Sequence, residues 1–329
     1  MENKSVTIDF DGSRVKCNPS KSILDNLLDN NIKATFSCTK GSCLTCMLRT
    51  DDIVPKKSQE ALKPTFIEQG YFLACQAMPI EGMKVQSIDQ SELFVKATIK
   101  QIKQLAGHVA QIFLTPHDRF DFRPGQFLNI KKPDGQVRSY SIASTAEQEE
   151  LEIHVKKHKF GRVSGWLGDE LKTGDDIDIS GPNGSCFYIK GQLDQPLLLI
   201  GTGTGLAPLL GIIRQALSQN HSGKITLYHG AVEEDGLYLS EQLQALAKQH
   251  PNLEIHLGTL NPSNDKNIIC GSINEIALAN HRDLKGWQVY LCGDPQMVQT
   301  SKQKAFLAGA NLSDILSDPF EMKDPSELE

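Results

Sequence analysis

The rhythm of apolar and polar positions changes twice along this chain, and each change marks a different kind of element. Near the start, Val6-Thr7-Ile8-Asp9-Phe10 alternates with a period of two, as a half-buried strand does. Asp11-Gly12 supplies a hairpin turn, and Arg14-Val15-Lys16-Cys17 predicts the returning strand. Ser22 can cap a helix whose Ile23, Leu24, Leu27 and Leu28 share one face, with Asn30-Asn31 as its stop. Further short strands are expected at 46–49, 71–75 and 83–85. From Phe94 the pattern becomes all-β. Strand-length segments at 95–99, 108–114, 127–130 and 151–156 are separated by turn signals such as Pro133-Asp134-Gly135, which predicts a barrel or sandwich. After residue 190 the pattern changes again. Pro196-Leu197-Leu198-Leu199-Ile200 is an unbroken apolar run, as in a buried parallel strand. Strands at 224–229, 253–257 and 287–292 then alternate with helices at 209–217, 240–249, 272–279 and 295–308, before a short strand at 312–316. That alternation predicts a parallel sheet covered by helices on both faces.

Composition narrows the classes. At 329 residues the chain should hold two or three domains, and 39% hydrophobic with 22% charged residues suits globular ones. The net charge of −6, with no basic stripe, argues against nucleic acid as a partner. No apolar run reaches membrane-spanning length, and the N-terminus lacks the apolar core of a signal peptide. A cytoplasmic, monomeric protein is therefore expected.

The candidate chemistry begins with cysteine. Cys38, Cys43 and Cys46 stand at C-x4-C-x2-C spacing, and Cys75 follows downstream. This is the plant-type [2Fe–2S] pattern. Two irons need four thiolates; three on one wrapping loop can reach both irons, and a fourth closes the cage. Gly41 fits the tight turn such a loop requires. A zinc site prefers paired C-x2-C knuckles or added histidine, and only Cys43 and Cys46 form such a pair. A disulfide framework needs an oxidising compartment, which nothing in the chain suggests. Cys17, Cys186 and Cys270 read as small structural hydrophobes.

Three more motifs follow in order. Arg138-Ser139-Tyr140-Ser141 comes after Pro124-Gly125-Gln126-Phe127 and before Gly161-Arg162-Val163-Ser164. Gly201-Thr202-Gly203-Thr204-Gly205-Leu206-Ala207-Pro208 follows the apolar strand, and departs from the dehydrogenase G-x-G-x-x-G at Leu206. Cys292-Gly293-Asp294-Pro295 ends a later strand, at the edge where open α/β sheets bind ligands. Asp294 can cap the helix that follows it, with Gly309 beyond its end.

The first part of the chain resembles the β-grasp of plant-type ferredoxins. The rest resembles the ferredoxin–NADP reductase superfamily. The whole layout is similar to the reductase components of bacterial aromatic-ring dioxygenases and multicomponent monooxygenases. The resemblance implies a ferredoxin domain at 1–90, an antiparallel β-barrel for FAD at 93–190, an α/β nicotinamide domain at 193–320 and an acidic tail at 321–329. It implies that Arg138 binds flavin diphosphate, Ser139 completes the strand beside it, Tyr140 packs on the isoalloxazine and Ser141 bonds near N5. His154, Val155 and Lys156 would flank the flavin. Gly161, Arg162, Val163 and Ser164 would open a helix, 163–171, facing the pyrophosphate. Gly201, Thr202, Gly203, Thr204, Gly205 and Pro208 would cradle the dinucleotide. Cys292 would orient the nicotinamide, with Gly293, Asp294 and Pro295 alongside, and Phe320 would cover the flavin face. Tyr140, Ser141 and Cys292 are thus the catalytic candidates. Two places depart from the family, where Thr39 replaces the usual Arg or Glu and Leu44 the usual Gly. Residues 1–90 also lack the acidic excess of soluble plant ferredoxins.

Glu233-Glu234-Asp235 follows the second nicotinamide-domain strand. Acids there suit a free ribose 2′-OH and repel a 2′-phosphate, which favours NADH over NADPH. The resulting path is NADH to FAD to [2Fe–2S] to a separate acceptor protein, either an oxygenase or an intermediate ferredoxin. The same layout fits the reductase of a deoxysugar dehydratase. An electron carrier with a vestigial reductase half is the alternative from another class.

Overall fold

The computed structural model describes residues 5–89 and 93–320. The chain divides into two compact units. One comprises Met1–Val95, Asn129–Ser139 and Asp178–Asn183; the other comprises Lys96–Leu128, Tyr140–Ile177 and Gly184–Glu329.

In the first unit, strands β1 (Val6–Phe10) and β2 (Ser13–Cys17) form the expected hairpin, with Val6 opposite Cys17 and Phe10 opposite Ser13. Helix α1 (Ile23–Asp29) is capped by Ser22, whose hydroxyl accepts from the Asp25 N–H at 3.1 Å. The helix buries Ile23, Leu24 and Leu27 against Ile8 and Val15 of the sheet. Next come β3 (Met47–Arg49), α2 (Pro64–Glu68), β4 (Tyr71–Leu73) and β5 (Lys84–Val85). Strand β5 runs parallel to β1, giving the order β2-β1-β5, while β3 and β4 pair antiparallel beside it. Helix α2 escapes the periodicity argument because none of its residues is buried, so it has no apolar face to announce it. The expected strand at 71–75 stops at Leu73. Residues Ala74–Gln76 tighten into a 3₁₀ turn that carries Cys75 off the strand.

Strands β6 (Val95–Leu105), β7 (Val109–Pro116), β8 (Phe127–Lys131), β9 (Val137–Ser141), β10 (Leu151–Lys156) and β11 (Asp176–Asn183) form one sheet of order β10-β7-β6-β11-β8-β9. The two end strands of this order are linked by a bridge between Ile142 and Ile153, and the Ala143 N–H donates to the Glu152 carbonyl at 2.8 Å. Between β10 and β11 lies helix α3 (Arg162–Gly165), which continues as a π-helical turn, Trp166–Glu170.

The second unit contains a six-stranded parallel sheet. Its elements are β12 (Leu197–Thr202), α4 (Leu206–Ser218), β13 (Ile225–Ala231), α5 (Ser240–Gln249), β14 (Leu253–Thr259), β15 (Ile269–Cys270), α6 (Ile273–Asn280), β16 (Gln288–Gly293), α7 (Pro295–Leu307) and β17 (Ile315–Pro319). Their order is β15-β14-β13-β12-β16-β17, and the pairs are parallel. Alternate residues of β12 face opposite layers. Leu197 and Leu199 join one apolar cluster, Leu198 and Ile200 the other, so both faces are covered. The strand order reverses between β13 and β16 on either side of β12, which opens a crevice at the carboxyl ends of β12 and β16. Helix α4 begins at Leu206, earlier than expected, so Pro208 lies within its first turn, where its missing N–H costs no bond. Strand β17 starts later than expected, because Leu312–Asp314 coil into a 3₁₀ turn. Among the described residues no helix is long and apolar enough to cross a membrane. The acidic tail at 321–329 lies outside the described residues.

Candidate functional site

The cysteine loop reverses its backbone repeatedly. Thr39, Gly41 and Leu44 all take left-handed conformations, with φ of 54°, 83° and 61°. Those reversals turn donors onto sulfur. The N–H groups of Lys40 and Cys43 donate to Cys38 Sγ at 3.3 and 3.4 Å, and the Ser42 hydroxyl does so at 3.3 Å. The Cys38 N–H donates to Cys43 Sγ at 3.3 Å. Gln76 closes the loop from outside, its Nε2 donating to Thr39 O at 3.1 Å and to Cys75 Sγ at 3.5 Å. Gly41 is required twice over: by its φ, and because a Cβ would meet Gln76 Cγ at 2.9 Å. Leu44 holds a left-handed conformation in which the glycine usual in the family would be at ease.

The four sulfurs influence one another's protonation in two pairs, Cys38 with Cys43 and Cys46 with Cys75. The bond from Cys43 brings the Cys38 thiol down to about 4, and the bond from Cys46 brings Cys75 down to about 7; Cys43 and Cys46 are pushed up in turn. Among the described residues no three His, Cys, Asp or Glu side chains converge on a position for one metal ion. Two pairs of thiols suit a two-iron cluster, which takes two thiolates at each iron, and the inward N–H groups are of the kind that tune such clusters. All eight cysteines are free thiols.

The second constellation lies at the crevice of the parallel sheet. Gly201 pairs with Cys292 across β12 and β16. A Cβ on Gly205 would strike the Cys292 carbonyl, and one on Gly293, at φ 117°, would lie 2.6 Å from Thr202 O. Glycine thus brings the two strand ends into contact. Thr202 Oγ1 accepts from the Asp294 N–H at 3.1 Å, and Asp294 caps α7 by accepting from the Met297 N–H at 2.8 Å, with Pro295 in the first turn. Cys292 is buried. Loss of water, a hydrogen bond with Cys186 and the nearby Asp318 carboxyl all push its thiol well up. It is therefore a neutral thiol at neutral pH, suited to contact rather than nucleophilic attack.

Sequence reasoning missed two neighbours of Cys292. The Cys186 sulfur lies 3.6 Å from the Cys292 sulfur. Asp318 sits opposite Cys292 in the β16–β17 ladder and accepts from the Ser141 hydroxyl at 3.0 Å. Burial lifts the Asp318 carboxyl to about 6, against the lowering effect of the Ser141 bond. The Phe320 N–H donates to Gly293 O at 2.7 Å, which fixes Phe320 at the end of the same strand pair. Ser141, Cys292, Asp318 and Phe320 are thus gathered from distant parts of the chain. The only sequence signal for Asp318 was its place two residues before Phe320.

His154, expected among the flavin contacts, has its ring committed elsewhere. Its Nε2 is 2.8 Å from Glu152 Oε1 and its Nδ1 is 3.0 Å from the Tyr238 hydroxyl, in a fully buried cluster. Gln111 Nε2 and Arg214 Nη1 also donate to the Glu152 carboxylate, at 2.6 and 2.5 Å. Burial alone would raise Glu152, but the His154 bond and the Arg214 charge outweigh it and bring the carboxyl down to about 2. Val155 points into the core as well, so β10 leaves only the Lys156 side chain outward and can offer its backbone at 154 and 155. Arg138 Nη1 donates to the Val137 carbonyl at 2.8 Å. Ser164, beside buried Val163 and following Arg162, accepts from the His158 N–H at 3.3 Å and donates to Gly161 O at 3.4 Å. Beyond β13, Glu233, Glu234, Asp235, Asn261 and Pro262 line a cleft of about 320 Å³. In it Ser263 Oγ donates to Glu234 at 2.8 Å, and Asn261 Nδ2 to Glu233 at 3.4 Å.

Comparison with known proteins finds three family matches along the chain. They are a 2Fe-2S iron-sulfur cluster binding domain at residues 6–79, an oxidoreductase FAD-binding domain at 96–188 and an oxidoreductase NAD-binding domain at 199–303. The chain is 29% identical over 305 residues to the ferredoxin–NAD(P)(+) reductase component of the naphthalene 1,2-dioxygenase system of Pseudomonas putida, covering 91% of this chain and 93% of that protein. It is 30% identical over 316 residues to the reductase subunit of an aromatic O-demethylase of Amycolatopsis, covering 92% and 94%. Among solved structures, an Amycolatopsis cytochrome P450 reductase superposes with a TM-score of 0.68 at 28% identity, over 96% of this chain and 98% of that one.

Proposed function

Because this chain belongs to the family of [2Fe–2S], FAD and NAD-binding reductase components of bacterial oxygenase systems, we propose that it draws electrons from NADH in particular and delivers them to a separate oxygenase. It is an oxidoreductase, and its electrons pass from NAD(P)H through FAD to the [2Fe–2S] cluster. FAD, when bound, would supply the exchange between a two-electron hydride and the single electrons that a one-electron cluster can accept.

The chain's own residues then have assignable tasks. Cys38, Cys43, Cys46 and Cys75 hold the cluster, and the loop donors turned onto the Cys38 and Cys43 sulfurs are the observation that carries the reading. Arg138 meets the flavin diphosphate with a planar charged fork, and Tyr140 packs on the ring. Ser141, held by Asp318, keeps a hydroxyl at the reacting edge. The neutral thiol of Cys292 orients the nicotinamide, and the glycines at 201, 203, 205 and 293 let backbone approach the dinucleotide. Glu233, in the acidic cleft, accepts from the adenosine 2′-OH and repels a 2′-phosphate. Phe320 covers the flavin face. The cluster, flavin and nicotinamide domains span 1–90, 93–190 and 193–320, and the protein acts as a monomer in the cytoplasm. The relatives described serve oxygenases, which favours that acceptor over a deoxysugar dehydratase.

Anaerobic rapid mixing with NADH tests the path. In the parent, flavin absorbance bleaches and a reduced-cluster EPR signal follows. Cys43→Ser leaves the bleaching rate intact and abolishes delivery to a one-electron acceptor such as cytochrome c. Equal loss of both would show that the cluster also holds the flavin domain together and would overturn the assignment of separate tasks.

A further inference from the structure

Asn129 lies in the middle of β8 and is 1% exposed. A buried amide must find partners or lose about 1–3 kcal/mol. It finds three. Its Nδ2 donates to the Cys43 carbonyl at 2.9 Å and to Ser180 Oγ at 3.2 Å, and its Oδ1 accepts from Ser139 Oγ at 2.8 Å. Ser139 Oγ also lies 3.4 Å from Ser37 Oγ, immediately before the cysteine loop. Ser180, Asn129 and Ser139 come from β11, β8 and β9, which are adjacent in the sheet. Three neighbouring strands therefore converge on the carbonyl of one cluster ligand.

The register gives this contact its meaning. Side chains alternate along a strand, so Ser139 faces opposite to Arg138 and Tyr140 on either side of it. Arg138 and Tyr140 are the flavin contacts of the proposed function. The serine between them is thus the means by which the same strand grips the cysteine loop. Cys43 is 2% exposed, and the residue after it, Leu44, takes the left-handed turn. The Cys43 carbonyl is the last group before that turn, so fixing it fixes the path of the loop into Cys46.

We propose that Asn129, oriented by Ser139, is a positioning residue for electron passage from the flavin to the cluster. In each passage one electron leaves the reduced flavin and one ferric ion of the cluster becomes ferrous. This rests on the electron path given above. The two side chains act through the Cys43 carbonyl. They set where Cys43 stands relative to the strand that carries Arg138, and a step that depends on this geometry slows when the loop is misplaced.

The test uses the full chain with flavin and cluster bound. Ser139→Ala and Asn129→Ala are mixed anaerobically with NADH. Flavin bleaching and its dependence on NADH concentration should stay within about twofold of the parent, while cluster reduction slows about tenfold or more. Cluster content and the EPR intensity of the chemically reduced cluster should be unchanged, and amide hydrogen exchange at 43–46 should rise. Ser139→Thr, which keeps the hydroxyl on a side chain suited to a strand, should restore both rate and protection. The proposal is overturned by cluster reduction at the parent rate in both alanine variants. It is equally overturned by loss of the cluster in Asn129→Ala, which would make Asn129 a retaining residue, or by failure of Ser139→Thr to restore the rate. Failure of the parent itself to bleach with NADH would instead strike the electron path.

Discussion

Asp318→Asn should make the protein more stable at alkaline pH while impairing its reaction. The carboxyl stands in β17 opposite buried Cys292, accepts one hydrogen bond from Ser141, and is lifted by burial to about 6. An unfolded chain returns it to its ordinary ~3.9. For an acid raised on folding, the ionised form is the disfavoured one. The cost is therefore full above the folded value, shrinks as pH falls below about 6, and is gone below ~3.9. Holding that charge costs up to ~3 kcal/mol at pH 8, with some relief because Asp318 keeps partial exposure. The asparagine variant keeps the Ser141 contact without the charge. Its melting temperature should exceed the parent's by several degrees at pH 8 and converge with it near pH 4. Calorimetric scans across that range make the measurement. In parallel, the rate of flavin reduction by NADH should be lower in the variant, and an inflection near pH 6 in the parent should disappear. A variant that is less stable at pH 8, or one whose advantage is the same at pH 5 and pH 8, would refute the claim that burial sets this carboxyl.

The remaining predictions concern other parts of the second unit. Glu152→Gln removes a carboxylate lowered to about 2, whose stabilisation is present above ~4.3 and is lost as pH falls towards 2. The variant should lose ~3 kcal/mol at pH 7, read as a lower melting temperature, and the gap should narrow in acid. Glu233→Arg should move the ratio of kcat/KM for NADPH over NADH upward by on the order of tenfold, the worth of one charge-assisted bond to the 2′-phosphate; an unchanged ratio would take Glu233 out of the adenosine site. Gly205→Ala places a Cβ against the Cys292 carbonyl and should cost about 1–3 kcal/mol while raising KM for NADH, with flavin content unchanged as the control.

What the sequence revealed and what it concealed follow from the range of the interactions. The cluster-binding domain was legible because coordination demands one residue type at fixed spacing, and the α/β half was legible because its buried strands carry unbroken apolar runs. The N-caps at Ser22 and Asp294 were equally local, and both formed as expected. Asp318 was not legible, since its partner Ser141 lies 177 residues away and Asp318 itself stands in no motif. Cys186 and Cys292, 106 residues apart, show the same blindness. The partners of the His154 ring were hidden for a related reason. Its alternation in β10 was read correctly as strand, but periodicity cannot say that Glu152, Arg214 and Tyr238 would claim the ring. The barrel or sandwich was inferred from strand count and spacing, which cannot give the strand order or the Ile142–Ile153 bridge between the end strands.

The division of the chain at β8, β9 and β11 has a consequence for anyone wishing to exchange its parts. Residues 129–139 and 178–183 fall in one compact unit with the N-terminal ninety-five residues. A graft that replaced only the N-terminal segment, cutting in the region of residue 90 where the sequence invites it, would leave Asn129, Ser139 and Ser180 presenting polar groups shaped for a loop no longer there. The inheritable module is discontinuous. A working hybrid must import those two short segments together with the ferredoxin, or choose a donor whose second cluster cysteine offers its carbonyl at the same place.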